Sequence, residues 1–186
     1  ALIVNNSKFV EKCEIIQEKG TNRSNFQNGT IDKYTWVGLG GSYLMSNITA
    51  AFLYNNLTNL ELINNHRINI YKNYFNLLNG TGVEHSEVYR EESEGNGHLF
   101  FIKCHDKEHR KSIIENLKQR EIYCVSHYEP LHLSGYAESK KFRHSCSVTQ
   151  GEAEKLLRLP IFYNLPIDCT SYVVENILDA YFKGIH

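Results

Sequence analysis

Apolar side chains recur at near-helical spacing at Ile48, Phe52, Leu60, Ile63, Ile70, Tyr74 and Leu78, with asparagines and charges mostly between them. This pattern predicts one long amphipathic helix that opens at an N-cap, Ser46, and stops at Asn79-Gly80. Upstream, Ala1-Leu-Ile-Val4 is a short apolar run that predicts a strand, and Lys8 to Lys19 predicts a helix with Phe9, Cys13 and Ile16 on one face and Gly20 as its stop. Downstream, His98 to Cys104 predicts a buried-type strand and Ile122 to His127 the next strand, separated by a helix that Asp106 caps and that turns Ile113, Ile114 and Leu117 inward. Thr149 and Glu152 form a capping-box pattern that predicts a short helix ending near Leu157. Leu159-Pro160-Ile-Phe-Tyr163 predicts an extended segment, because the residue before proline avoids the helical region. Asp168 to Lys183 predicts a terminal helix with Val174, Ile177, Leu178 and Tyr181 inward and Gly184 as its stop. Helices alternating with strands from about residue 80 onward give an α/β layer.

Two stretches break the periodicity. Residues 84–97 are acidic, polar and glycine-containing, and predict a loop. The segment from Gly20 to Ser42 is rich in Asn, Gly, Asp and aromatic residues, and is longer than an ordinary structureless connection. Such a segment either carries function or is pinned against another surface. Within it, Gly40-Gly41-Ser42 leads toward the cap at Ser46, an arrangement that presents backbone N–H groups and a hydroxyl to an anion, or forms only a tight turn before an ordinary helix cap.

Charge and composition narrow the function. Lysines and arginines number 20 against 21 acidic residues in 186, and they are scattered, so nothing favours nucleic-acid binding. The longest apolar runs are too short for a membrane span, and the start has no signal-peptide character, which predicts a soluble, cytoplasmic protein. The five cysteines are widely spaced without a CxxC pair, a pattern of buried free thiols rather than a disulfide framework. Asn-x-Ser/Thr triplets at Asn5, Asn22, Asn28, Asn47, Asn56 and Asn79 are weighed against an asparagine-rich background and read as coincidental. The pairs His105/His109 and His127/His132 lack a third ligand at metal-site spacing, so no metal is expected. No phosphate-loop, dinucleotide or nucleophile-elbow motif occurs.

Several separate blocks resemble the DegT/DnrJ/EryC1/StrS family of sugar-nucleotide aminotransferases, most closely its dTDP-4-amino-4,6-dideoxygalactose transaminase branch. Glu14-Ile-Ile-Gln-Glu-Lys-Gly-Thr-Asn-Arg-Ser24 and Val37-Gly-Leu-Gly-Gly-Ser-Tyr-Leu-Met-Ser-Asn-Ile-Thr-Ala-Ala51 are similar to the branch signature, together with Asp32-Lys-Tyr-Thr-Trp36. His127-Tyr-Glu-Pro-Leu-His132 and Ala153-Glu-Lys-Leu-Leu-Arg-Leu-Pro-Ile-Phe-Tyr-Asn164 are similar to later blocks. The resemblance implies an α/β fold, the C-terminal part of the fold-type-I (aspartate aminotransferase-like) pyridoxal-phosphate-dependent transferase fold. Residues 1–45 would end the large domain with an interface loop, 46–80 would be a long connecting helix, and 81–186 a small α/β C-terminal domain.

The resemblance also implies a function. The enzyme would use pyridoxal 5'-phosphate to aminate the 4-keto carbon of a dTDP-4-keto-6-deoxyhexose, with glutamate as donor, in a homodimer with composite active sites. The lysine that carries the cofactor is expected upstream of Ala1, since Lys8, Lys12 and Lys19 fall in the wrong context, so this chain alone is expected to be inactive. A catalytically inactive binding or assembly module is the alternative. In the family's Gly-x-Asn-Tyr-Arg motif an asparagine helps hold the cofactor phosphate; here Ser42 takes the asparagine position and Leu44 the arginine position. The implied cofactor contacts are therefore Ser42 and Gly41. The implied substrate contacts are Arg23, Lys33, Tyr34, Trp36 and His127.

Overall fold

The computed structural model describes residues 2–87, 95–141 and 145–183. The chain divides into two compact units, Ala1–Thr58 and Asn59–His186. In the first unit a 3-10 turn at Ser7–Phe9 leads into α1 (Val10–Gln17), followed by α2 (Arg23–Gln27) and α3 (Asn47–Thr58). The second contains α4 (Leu60–Leu78), β1 (Phe101–Lys103), α5 (Lys107–Lys118), β2 (Val125–Ser126), α6 (Gly135–Ser139), α7 (Ser147–Lys155), β3 (Leu156–Arg158) and α8 (Cys169–Phe182).

The run from 46 to 80, expected as one helix, is two. Ser46 Oγ accepts from the Thr49 N–H at 3.2 Å and opens α3 as its sequence predicts. The helix then stops at Thr58, and Asn59, with φ −105° and ψ 13°, becomes the N-cap of α4. Asparagine leaves the helical region readily because its side chain competes with the backbone for hydrogen bonds. The two halves also differ in burial. α3 buries none of its residues, whereas α4 buries Ile70, Tyr71, Tyr74 and Leu78.

Every buried apolar side chain among the described residues lies between Ile70 and Tyr181. That core is built on a three-stranded antiparallel sheet in the order β1-β3-β2, with Phe101 and Val125 both opposite Arg158 and both Ile102 and Ser126 opposite Leu157. Leu157 and Ile102 are fully buried from this sheet, and Ile113, Leu117 and Ile177 from the helices. α8 packs against both α4 and α5. Asp106 caps α5 as expected, its carboxylate accepting from the His109 N–H at 2.8 Å. Two buried tyrosines satisfy their hydroxyls on backbone carbonyls: Tyr74 on Pro160 at 2.9 Å and Tyr181 on Lys103 at 2.9 Å. Burial pushes both phenols above the usual tyrosine value.

Other expected elements differ, among them the strand expected from Ile122 to His127, which is only Val125–Ser126 with both residues exposed. Residues 2–6 form no strand, since no neighbouring strand pairs with them among the described residues. Thr149 lies inside α7 rather than at its cap; the N-cap is Cys146, which makes no side-chain capping bond. The helix ends at Lys155, and Leu156–Arg158 is the central strand of the sheet. The terminal helix ends at Phe182, and its expected stop, Gly184, lies outside the described residues, as do residues 88–94 of the acidic loop.

Candidate functional site

The segment from Gly20 to Ser42 is stitched back onto the end of α1. Lys19 and Gly20 both take left-handed backbone conformations, with φ 62° and 79°, and so turn the chain out of the helix. The Lys19 N–H then donates to Gly41 O at 3.1 Å, the Gly41 N–H to Ile16 O at 2.8 Å and the Tyr43 N–H to Gln17 O at 3.2 Å. The Gly20 carbonyl accepts from Val37 and Gly38, and Asn22 is tied to Thr35 through its backbone N–H at 3.2 Å and its Oδ1 at 2.8 Å. At the crossing the two backbones touch. A Cβ added to Gly40 would sit 2.1 Å from the Gly20 nitrogen, and one added to Gly20 would sit 2.0 Å from the Gly38 oxygen. Glycine at 20 and 40 is therefore a steric requirement of this turn.

The crossing creates a polar cavity of about 310 Å³, lined by Gln17, Glu18, Lys19, Arg23, Gln27, Ser42, Leu44, Met45 and Asn47. Ser42 arrives there through its antiparallel bridge to Glu18, and Arg23 because α2 begins immediately after the turn. Asn47 is the first residue of α3, so the positive end of that helix meets the cavity. Lys19 and Arg23 outnumber the one carboxylate, Glu18, whose oxygen lies 3.7 Å from an Arg23 Nη1. The Arg23 guanidinium also lies over the Tyr34 ring, 5.9 Å from its centroid, and Tyr34 in turn packs on Phe26 at 5.7 Å. Among the described residues Ser42 Oγ has no hydrogen-bond partner and Lys19 no ion pair. This donor set fits a phosphoryl group: two cations, a free hydroxyl and a helix N-terminus face one space.

The expected site residues are thus partly gathered. Arg23 and Ser42 share the cavity, with Tyr34 behind Arg23. Gly41 does not present its N–H to a ligand, because that N–H is spent on Ile16 O. Lys33 is exposed, and the Trp36 ring is 76% exposed while its backbone bridges Thr21; neither lines the cavity. His127 belongs to the other unit. It follows β2 there, half-buried, with its ring edge-on to Tyr128, whose face carries the Arg158 guanidinium at 5.7 Å. Sequence reasoning missed Glu18, Lys19 and Asn47. The helix-stopping Gly20 was the available signal, since a chain that reverses after Lys19 turns the last residues of α1 toward whatever crosses it.

The histidine pair at the start of α5 is structural. His109 takes the His105 backbone N–H at 3.2 Å on Nδ1 and meets Tyr181 O at 2.9 Å through Nε2, and the His105 ring stacks on it at 4.5 Å. No group of three or more metal-ligating side chains occurs among the described residues. No helix among them is long and apolar enough to cross a membrane.

Comparison with known proteins gives the same fold throughout. PseC of Helicobacter pylori, an aminotransferase involved in pseudoaminic acid biosynthesis, matches at 17% identity with a TM-score of 0.83, over 96% of this chain and 47% of that protein. Spr1654 of Streptococcus pneumoniae in its PLP form matches at 19% and 0.80, over 97% and 45%. A DegT/DnrJ/EryC1/StrS aminotransferase of Brucella abortus matches at 20% and 0.79, over 97% and 46%. The chain therefore has the fold of the type-I aminotransferases and spans less than half the length of these relatives. With residues 1–178 matched by the family's model, the chain belongs to the DegT/DnrJ/EryC1/StrS aminotransferase family.

Proposed function

We propose that this chain supplies the interface loop and the small domain of a sugar-nucleotide aminotransferase, the whole protein transferring an amino group from glutamate to the 4-keto carbon of a dTDP-4-keto-6-deoxyhexose. The single observation that carries this reading is the cavity in which Arg23 and Ser42 converge beside Lys19 and the start of α3. Arg23, Lys19 and Ser42 would hold a phosphate, whether that of pyridoxal phosphate or of the nucleotide. When bound, the cofactor supplies the electron sink that transamination needs. The side chains of this chain bind and orient. Arg23 supplies a forked, permanent charge in the place where Leu44 removes the motif's arginine, and Ser42 offers a hydroxyl donor where the motif has an amide. The homodimer with composite sites and the cytoplasmic location belong to the same proposal.

The test is turnover by the protein that contains this chain. With glutamate and dTDP-4-keto-6-deoxyglucose, mass spectrometry is expected to find the 4-amino sugar nucleotide, and Arg23→Ala is expected to raise KM at least tenfold. Absence of any amino-sugar product with intact cofactor loading would overturn the reading. The second reading, an inactive assembly module, draws on the exposed apolar residues of α3: Ile48, Phe52 and Tyr54 are each more than 70% exposed.

A further inference from the structure

Glu18 stands out in the cavity just described because it is the one group there that an incoming anion would not want. Its side chain is only 15% exposed, whereas that of Arg23 is 45% exposed. Among the described residues the Glu18 carboxylate has no ion-pair partner but Arg23. At 3.7 Å this pair is well beyond the roughly 2.7–2.9 Å of a tight charge-assisted hydrogen bond. Glu18 itself is held in place through its backbone: its carbonyl accepts from the Thr21 N–H at 3.1 Å and the Thr21 Oγ1 at 2.7 Å, and it bridges Ser42. Arg23, by contrast, is supported by Tyr34, with its guanidinium carbon over the ring at 5.9 Å from the centroid.

We propose that Glu18 is an internal counter-ion that loosely occupies Arg23 until a phosphoryl group displaces it, and that it thereby weakens the cavity's hold on every anion, so that only a ligand engaging Lys19 and Arg23 together binds measurably. The proposal rests on the reading of the cavity as a phosphoryl site. A carboxylate or a halide carries one charge and gains little over the carboxylate already present. A diphosphate engages Lys19 and Arg23 together and so binds despite a repulsion from Glu18 that grows with its charge. Glu18 is therefore a positioning residue that acts through Arg23.

The experiment titrates the 186-residue chain with inorganic pyrophosphate, and separately with acetate, by calorimetry at low salt. Glu18→Gln, which keeps the shape and removes the charge, is expected to bind pyrophosphate about three- to tenfold more tightly than wild type and to gain measurable acetate binding. Glu18→Asp, which keeps the charge, is expected to return to the wild-type pattern, and Arg23→Ala to lose pyrophosphate binding at least tenfold. A purely structural Glu18 would make Glu18→Gln bind more weakly, and that result or equal affinity overturns the proposal. If Arg23→Ala binds pyrophosphate like wild type, or if wild type binds none, the phosphoryl reading of the cavity fails and this inference with it. A loss in Arg23→Ala with no gain in Glu18→Gln removes the inference alone.

Discussion

Gly40 shows how much one missing methyl group decides. With the Gly20 nitrogen 2.1 Å from where its Cβ would be, Gly40→Ala has to push two backbones apart rather than deform a flexible side chain. The expected outcome is loss of hydrogen-exchange protection at the Gly41 and Val37 amides, both of which donate across this crossing. Unchanged protection would mean that the strands separate without cost. Ser42 tests the cavity from the other side. In the complete enzyme, Ser42→Asp is expected to weaken cofactor affinity ten- to a hundredfold, since a hydrogen bond to a charged group is worth roughly 1.5–3 kcal/mol. Ser42→Asn is expected to retain binding because an amide also donates. Equal dissociation constants for wild type and Ser42→Asp would reduce Ser42 to a turn residue.

At the scale of elements, β3 carries the small sheet, since both other strands pair with it. Leu157 is fully buried at its centre, so Leu157→Ala is expected to destabilise the chain by about 2–5 kcal/mol in a denaturant titration. A change below about 1 kcal/mol would show that the site collapses around the deletion. Beside the sheet, Lys103 on β1 reaches Glu84 at 2.6 Å and Glu152 of α7 at 2.7 Å. Its hydrogen bonds to Glu152 and Glu84 raise the Lys103 ammonium above its ordinary range, and the bond to Lys103 lowers the Glu152 carboxyl. A lowered carboxyl stabilises above its unfolded value and loses that contribution as pH falls through its folded one. A raised ammonium contributes below the ordinary lysine value of 10.5 and loses it as pH climbs past that. Glu152→Gln is expected to flatten the acid limb of the melting-temperature profile below about pH 4.5, and an unchanged limb would remove the pair from the stability balance.

The legibility of these elements follows their length. α8 and the cap of α5 were readable because a long helix repeats its apolar face several times and Asp106 announces a boundary. β3 was not. Its three residues follow α7 without an intervening turn, so Leu156 and Leu157 read as a continuation of helical periodicity, and only pairing with β1 and β2 makes them extended. The cavity was half readable for a related reason. Arg23 and Ser42 hold positions that the resemblance singles out, while Glu18 and Lys19, in the same block as Arg23, line the site only because the chain reverses at the left-handed Lys19-Gly20 turn.

For the molecule as a whole, burial is lopsided. Gly20 and Thr21 are the only buried residues described in the first unit, and Trp36, Leu39, Tyr43, Ile48, Phe52 and Tyr54 are each more than 70% exposed. An apolar cavity of about 660 Å³ beside α1 is lined by Leu2, Val4, Val10, Cys13, Ile16 and Tyr43 among others. Limited proteolysis is therefore expected to remove residues before about 59 first and to leave a resistant product that unfolds cooperatively; early cleavage within the second unit would contradict this. The intact chain is expected to self-associate at high concentration in analytical ultracentrifugation, and a clean monomer would count against that. Mixed with pyridoxal phosphate and reduced with borohydride, it is expected to carry no stoichiometric lysine adduct. A full adduct at Lys19, the lysine that lines the polar cavity, would overturn the expectation that the cofactor's lysine lies elsewhere.

The backbone crossing at Gly20 and Gly40 also sorts the intervening residues by their freedom to change in number. Asn28 and Gly29 form the turn after α2, and Gly29, at φ 72°, has open space where a Cβ would go. Because the ends are fastened by their own hydrogen bonds, extra residues inserted there lengthen a loop whose closure cost grows only with the logarithm of its length. A short epitope or fluorophore tag spliced in after Gly29 should leave Arg23 and Ser42 in register, whereas a single residue added between Gly38 and Gly40 would shift every contact that follows. Homologues are therefore expected to vary in length at the first position and to hold it constant at the second.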